Sequence, residues 1–266
     1  MSVYTDLFQY RELFANLFQR ELRAKYKGSL LGVGWSLAYP LLLMGVYTVV
    51  FSVLWRAQPG IRYYPLFLLA GLVTWVFFSQ ALGSASRSLL ANANLVKKVR
   101  FPRQLVPFSV VATQLVTLGV MLVVLVPINL ALLPDTRKTF WLVIPFGILL
   151  VALTSGISLM VAAANVLYRD VEHLVQALLL PWFFLTPVLY TFETLPEAVE
   201  RHGTLVDVIH YGNFMAPMVD VIRDPLYFGV WPSLGDSLYT CAAAVVSLGA
   251  GALVFRRLDD DLAVEL

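Results

Sequence analysis

The stretch NANLVKKVRFPRQLVP, residues 92–107, is the most basic segment between two long apolar runs. Lys97, Lys98, Arg100 and Arg103 sit in it, and Arg87 lies just before it. Leu89, Leu90, Ala93, Val96 and Val99 recur at helical spacing, so the segment reads as a short amphipathic helix. Pro102 ends that helix, because proline has no N–H to donate and clashes with the preceding turn. A short basic helix clamped between two membrane spans suits a docking element on a cytoplasmic face. The plainer alternative is a basic loop of the kind that cytoplasmic sides favour.

The bulk composition supports a membrane setting. Hydrophobic residues make up 59% of the chain and charged residues 14%, with mean hydropathy +0.76. A soluble domain carries roughly 25% charged residues, so soluble folds are set aside in favour of an all-α polytopic membrane protein. The one cysteine, Cys241, lies in an apolar run and is expected to be a buried packing residue rather than part of a disulfide framework. No cleavable signal pattern precedes the first apolar run.

Six spans are expected, at about 30–55, 64–85, 105–133, 140–167, 174–190 and 238–255. Together, residues 30–266 read as one transmembrane domain, with a coupling helix at about 86–104. Residues 1–29 precede it as an amphipathic segment. Tyr4, Leu7, Phe8, Leu13, Phe14, Leu17, Phe18 and Leu22 share one helical face, while Arg11, Glu12, Asn16, Gln19, Arg20 and Arg23 share the other. A helix of that character, too charged to span, is expected to lie in the membrane interface.

Orientation follows from the cations. With the N-terminus inside, the inner segments hold Arg11, Arg20, Arg23, Lys25 and Lys27, then the cluster from Arg87 to Arg103, then Arg169, then Arg256 and Arg257. The outer segments hold Arg56, Arg62, Arg137, Lys138, Arg201 and Arg223. The bias puts both termini in the cytoplasm. The outer stretch 191–236 is long and only partly polar. Its clusters Leu205–Ile209 and Met215–Ile222, interrupted by Gly212, Ala216, Pro217 and Pro225, predict two short re-entrant helices over about 204–230, before the last span.

Several chemistries are missing. No acidic residue, His, Lys or Arg falls in an expected span, which disfavours proton- and ion-coupled carriers. There is no Gly-Lys pair and hence no phosphate-binding P-loop, so any ATP site must lie on another subunit. His173, His202 and His210 lack companions at metal spacing. The Asp259-Asp260-Asp261 run reads as a solvated tail. The chain is therefore not expected to be an enzyme by itself or to hold a metal or cofactor.

Aromatic residues are the strongest internal pattern. Trp35, Tyr39, Tyr47, Phe51 and Trp55 form an i+4 series with Leu43 filling the gap, and a second group includes Trp75, Phe77 and Phe78. Trp182, Phe183, Phe184 and Tyr190 add a third. Such faces stack on sugar rings and their polar tips bond hydroxyls; interfacial belts and core packing are the alternative. Small residues mark expected helix contacts at Gly28 and Gly32, at Thr154, Ser158 and Ala162, and at Ser247 and Gly251.

YKGSLLGVGWSLAYPLLL (26–43) followed by VYTVVFSVLW (46–55) resembles the start of the polysaccharide-export permeases of type-2 ABC exporters, which move O-antigen, capsule, teichoic acid and related glycans. NANLVKKVRFPRQLVP resembles their first cytoplasmic loop, NVLYRDVEHL (165–174) their second, and PWFFLTPVLY (181–190) their fifth span. The family usually shows a Leu-Asn-Pro-like turn before the last outer helix; here Met215-Ala216-Pro217 stands without the Asn.

The resemblance implies a homodimeric permease in the bacterial cytoplasmic (inner) membrane. It would pair with two copies of an ATPase subunit that hold ATP and Mg. The cargo would be a lipid-linked polysaccharide, and no nucleic-acid partner is implied. Tyr39, Tyr47, Phe51, Phe183 and Tyr190 would line the channel. Lys97, Lys98, Arg100, Phe101, Arg103, Arg169 and Asp170 would lie at or near the ATPase contact. Arg20, Arg23, Lys25 and Lys27 would suit the lipid's pyrophosphate head group. The other readings are a same-fold exporter of a drug or lipid, a membrane enzyme acting on lipid-linked sugars, and a scaffold.

Overall fold

The computed structural model describes residues 10–54, 61–98, 101–191 and 196–265. Helix makes up 85% of it and no strand occurs among the described residues, so the chain is an all-α polytopic membrane protein. Helix α1 covers Arg11–Tyr26. Gly28 and Gly32 then take positive φ, at 76° and 52°, and a tight turn over Gly32–Gly34 leads into α2, Trp35–Thr48, which widens into π-type turns over Val49–Leu54. Helix α3 covers Tyr64–Ser86, and two short helices, α4 (Ser88–Ala91) and α5 (Ala93–Lys98), follow. Then come α6 (Leu105–Leu132), α7 (Val143–Leu167), α8 (Val171–Leu185), α9 (Pro196–Gly212), α10 (Met215–Arg223) and α11 (Leu234–Glu265).

Among the described residues, five stretches are long and apolar enough to cross a membrane: Gly32–Phe51, Tyr64–Ser86, Leu105–Leu132, Phe140–Leu167 and Leu234–Leu258. Helix α8 is the sixth apolar helix and is shorter, at 15 residues. It begins before the expected residue 174 and stops well before 190. Its start is fixed by Asn165, whose side-chain oxygen accepts the Glu172 N–H at 2.8 Å. Its end follows from Pro187, which cannot continue the ladder, and from Thr186, whose hydroxyl turns back onto the Trp182 carbonyl. Tyr190 consequently lies beyond the helix. The last helix starts at Leu234, four residues before the expected 238, so Asp236 occupies its first turn.

Helix α3 is the hub. It is hydrophobic all round, and such a helix is stable only when surrounded; Phe67, Leu68, Leu72 and Phe78 are fully buried. Gly71 lets the chain after α8 close on it, since a Cβ there would lie 3.0 Å from the Val188 carbonyl. Helix α2 is the opposite case. Trp35, Tyr39, Leu42, Val46 and Val49 leave one apolar face uncovered.

Helices α7 and α11 make the tightest crossing. A Cβ on Gly156 would sit 2.3 Å from the Ser247 carbonyl, and one on Gly251 would sit 2.3 Å from the Gly156 oxygen. Within this seam the Ser247 hydroxyl donates to the Leu153 carbonyl at 2.7 Å, whereas Thr154, Ser158 and Ala162 are fully buried on a different side of α7 from Gly156. Small residues let backbones approach where lipid offers no hydrophobic drive between helices. Gly28 and Gly32 do not serve that purpose: nothing lies within 4 Å of a Cβ built on either, and their use is the left-handed turn between α1 and α2. Cys241, expected to be buried, is exposed on α11.

The basic segment is two helices rather than one. They meet at Asn92, whose amide donates to the Ser88 carbonyl at 2.9 Å. Val96 and Leu89 bury themselves with Leu105, Phe108, Leu159, Val166 and Phe255. Leu17 of α1 joins the same cluster. Helix α1 thus packs on the bundle through Leu17. We call this the basic end of the molecule. At the far end, the turn Asp224–Phe228 is pinned to the end of α6 and the connection after it: Asn129 donates to the Leu226 carbonyl at 2.6 Å and Thr139 to the Pro225 carbonyl at 2.9 Å.

Candidate functional site

Two adjoining spaces organise the bundle. The first is an aromatic groove of about 290 Å³ between α2, α3 and α8. Tyr39, Leu43, Tyr47, Ser79 and Phe183 are among its walls. Tyr47 stacks on Phe183 with ring centroids 5.5 Å apart and planes at 26°. Phe51 stands beside Tyr47 at 6.3 Å. The fold therefore brings Tyr39, Tyr47 and Phe183 together with Phe51 next to them. Tyr190 is elsewhere: its hydroxyl reaches the Phe184 carbonyl at 3.3 Å and its own carbonyl accepts from Arg223. Behind Phe183 the rings of Trp75, Phe78, Trp182 and Phe214 continue edge to face. Those are packing contacts of the kind aromatic pairs favour.

The second space is a polar cavity of about 590 Å³ at the basic end, between α1, α3, α4, α6 and α8. Glu21, Lys25, Arg87, Asn92 and Gln114 are among its walls. Gln80 and Gln176 line both spaces, so the polar cavity and the aromatic groove adjoin at these two side chains. Lys25 donates to Gln114 at 2.6 Å and to Thr117 at 2.8 Å, which draws its ammonium along α6. Arg20 pairs with Glu21 at 3.0 Å and donates to the Asn92 side-chain oxygen. Arg23 and Lys27 are exposed and do not line the cavity. Arg87 does line it, although the sequence placed it only in the docking segment. Its position just after an apolar span was the available signal.

The residues assigned to coupling lie together at the basic end but differ in burial. Lys97 and Lys98 are exposed at the end of α5. Phe101 packs against the cluster around Leu17, Leu89 and Val96, and Arg103 is half-buried before α6. Arg169 and Asp170 are exposed in the α7–α8 turn, beside the exposed Tyr168. Arg100 lies outside the described residues.

The far end is closed by α9 and α10. Helix α10 is buried along its length, from Met215 to Arg223. Asn213 organises its start: the side-chain oxygen accepts from Met215 N–H at 3.1 Å and from the Trp182 indole at 2.7 Å, and its amide donates to Thr186 at 2.9 Å. The Asn expected at position 216 before Pro217 is absent, and Asn213, three residues earlier and not signalled by the sequence, organises this start. Arg223 is buried over the Phe67 ring at 4.6 Å, paired with Asp220 and donating to the Pro187 carbonyl at 2.5 Å. It ties α10 to the chain after α8. His210 lies 3.0 Å from Asp236 and 3.8 Å from Asp220. Burial would lower its pKa, but the Asp236 hydrogen bond and the charges of Asp220, Asp236 and Asp207 outweigh that and raise it above the ordinary histidine value. Among the described residues no three His, Cys, Asp or Glu side chains converge to hold a metal ion.

Residues 12–227 match the profile of the ABC-2 type transporter family. The chain is 34% identical over 261 residues to an O-antigen export system permease protein of Myxococcus xanthus, covering 97% of this chain and 96% of that one. It is 32% identical over 191 residues to an O-antigen export system permease protein of Klebsiella pneumoniae, covering 70% and 71%. It is 22% identical over 251 residues to the polysialic acid transport protein of Escherichia coli, covering 92% of each chain.

Proposed function

Because this chain belongs to the ABC-2 type transporter family, we propose that it is the channel-forming permease subunit of an ATP-driven exporter that moves a lipid-linked polysaccharide, of the O-antigen or teichoic-acid kind, across the cytoplasmic membrane. The observation that carries this reading is the junction of a polar, cation-bearing cavity with an aromatic groove at Gln80 and Gln176. A glycan carried on a lipid phosphate has those two chemistries in that order. The anionic head group is attracted by Lys25, Arg87 and the nearby Arg20. The sugar rings stack on Tyr39, Tyr47 and Phe183, and their hydroxyls bond to amide side chains.

In this reading the basic end faces the cytoplasm, in line with the cation bias, and both termini lie there. The permease is a homodimer, with the uncovered face of α2 available to a second copy. Two ATPase subunits, which hold ATP and Mg, dock on Lys97, Lys98, Phe101, Arg103, Arg169 and Asp170, with Arg100 beside them. ATP hydrolysis belongs to those partners, and this chain contributes no catalytic group. Arg23 and Lys27 serve the surrounding lipid surface rather than the cavity.

The test is co-purification of the full chain with its partners in mild detergent, followed by ATPase measurement with and without lipid-linked glycan. A P-loop partner whose hydrolysis responds to the glycan supports the proposal. A partner that responds to a drug or a plain lipid instead moves the cargo to that class. Absence of any ATPase overturns the exporter reading.

A further inference from the structure

We propose that His210 is a pH-sensitive latch that seats helix α9 at the far end of the bundle: charged, it holds α9 onto α10 and α11, and neutral, it lets α9 lift away. The imidazole stands between carboxylates of two different elements. Its Nε2 is 3.0 Å from Asp236 of α11, and its Nδ1 is 3.8 Å from Asp220 of α10. A neutral imidazole has one N–H and can serve only one of them; a charged one has two donors and attracts both.

Among the described residues, the polar groups around His210 come from three helices and one turn. Asp207 and Tyr211 belong to α9 itself. Asp220 and Arg223 come from α10, Asp224 from the turn after it, and Asp236 and Tyr239 from α11. Arg223 is the opposing cation, and its guanidinium is engaged by Asp220 and by the Pro187 carbonyl. Among the described residues, the Asp236 hydrogen bond and the charges of Asp220, Asp236 and Asp207 favour a charged imidazole and hold its pKa above the ordinary histidine value.

The described side chains of α9 add few other ties. Val208 and Tyr211 are exposed, and α9 reaches α11 through the Tyr239 hydroxyl on the Tyr211 carbonyl at 2.5 Å. A cavity of about 560 Å³, walled by His210, Asp220, Arg223 and Asp236, lies beneath it and gives water and protons a way in. The sign follows from linkage. A group with a raised pKa in the seated state contributes fully below its free value of about 6.5 and loses that contribution as pH rises through the raised value. Alkaline conditions therefore release α9, and mildly acidic ones hold it. The consequence for export, a closed far end at lower pH, rests on the proposed function; the latch does not.

The test is a distance measurement on the full chain in lipid nanodiscs. Cys241 is replaced by serine, and spin labels are placed at the exposed positions Val208→Cys and Leu238→Cys. Samples are frozen between about pH 6 and about pH 9. The expected result is one narrow distance at the acidic end and a longer, broader population appearing with a midpoint above about 6.5. His210→Gln should remove the transition, Asp236→Asn should move it to lower pH, and His202→Gln should leave it unchanged. A distribution that ignores pH, or the same transition in His210→Gln, overturns the latch. Should His210→Gln fail to fold, an unshifted midpoint in Asp236→Asn overturns it equally. Cargo plays no part in this readout, so failure here leaves the export reading standing.

Discussion

Trp182 donates its indole N–H to the side-chain oxygen of Asn213 at 2.7 Å, and this bond ties the last turn of α8 to the entry of α10. The same oxygen caps Met215, and the Asn213 amide holds Thr186. Asn213→Ala leaves three polar groups in a half-buried joint without their partner. Each such loss costs about 1–3 kcal/mol where water cannot enter. The expected outcome is a lower melting temperature of the purified chain, with expression and insertion retained. Asn213→Asp keeps both acceptor roles and gives up only the donor to Thr186, so its drop should be smaller. Equal melting of all three proteins would remove Asn213 from the far-end closure.

Charge reversal of Lys97 and Lys98 probes the docking role without touching the fold. Both are exposed, and the segment is anchored instead by Val96 and Phe101. The double variant should insert and assemble normally and still bind lipid-linked glycan, while glycan-stimulated ATP hydrolysis in the reconstituted complex falls about tenfold, equivalent to about 1.4 kcal/mol of coupling. Normal stimulation would place the ATPase contact elsewhere at the basic end.

Much of the fold is legible in the sequence because lipid imposes a simple rule: apolar runs near 20 residues become helices. The same rule fails for α8, where Thr186 and Pro187 stop the helix although the apolar run continues to Tyr190. Burial on a chosen side is not encoded by hydropathy, so Cys241 gave no sign that it faces outward. The small residues Ser247 and Gly251 did mark the α11 side of the α7–α11 seam, but the stripe read on α7 faces another way, and Gly156, the closest point, was not part of it. For the candidate site, the aromatic spacing on α2 led to Tyr39 and Tyr47. That Gln80 of α3 and Gln176 of α8 line the same two spaces was invisible in the sequence. Polar residues that meet only in three dimensions carry no local pattern.

Gly156→Ala should be among the most disruptive single methyl additions available. The new Cβ would lie 2.3 Å from the Ser247 carbonyl, a backbone atom that cannot swing aside. Overpacking of this kind typically costs about 1–3 kcal/mol, and here it falls on the tightest helix pair. The expected readout is loss of the monodisperse peak in gel filtration or a clearly lowered melting temperature. Gly119→Ala is the control, because nothing lies within 4 Å of its Cβ. Similar behaviour of the two variants would mean that the α7–α11 approach is looser than described.

Tyr47, Gln176 and the groove between them separate transport from packing. Tyr47→Phe keeps the ring on Phe183, whereas Tyr47→Ala removes a stack worth about 0.5–1.5 kcal/mol. If sugar rings pass over Tyr47, the phenylalanine variant should export near normally and the alanine variant poorly, by more than the small stability loss from the broken stack accounts for. If the residue only packs, export should survive in both and melting should fall in the alanine variant. Gln176→Leu preserves bulk at the junction and deletes hydrogen bonding, which a polyhydroxyl cargo needs and an apolar cargo does not. Loss of about one hydrogen bond, ~1 kcal/mol, slows glycan export roughly fivefold. The ATPase activity without cargo should not change, because Gln176 is remote from Lys97, Lys98 and Arg169 in function: it contacts Glu172 and the two cavities. Undiminished glycan export by Gln176→Leu and by Gln80→Leu would show that the glycan does not pass the junction, and the conduit would have to be sought on another face of α2.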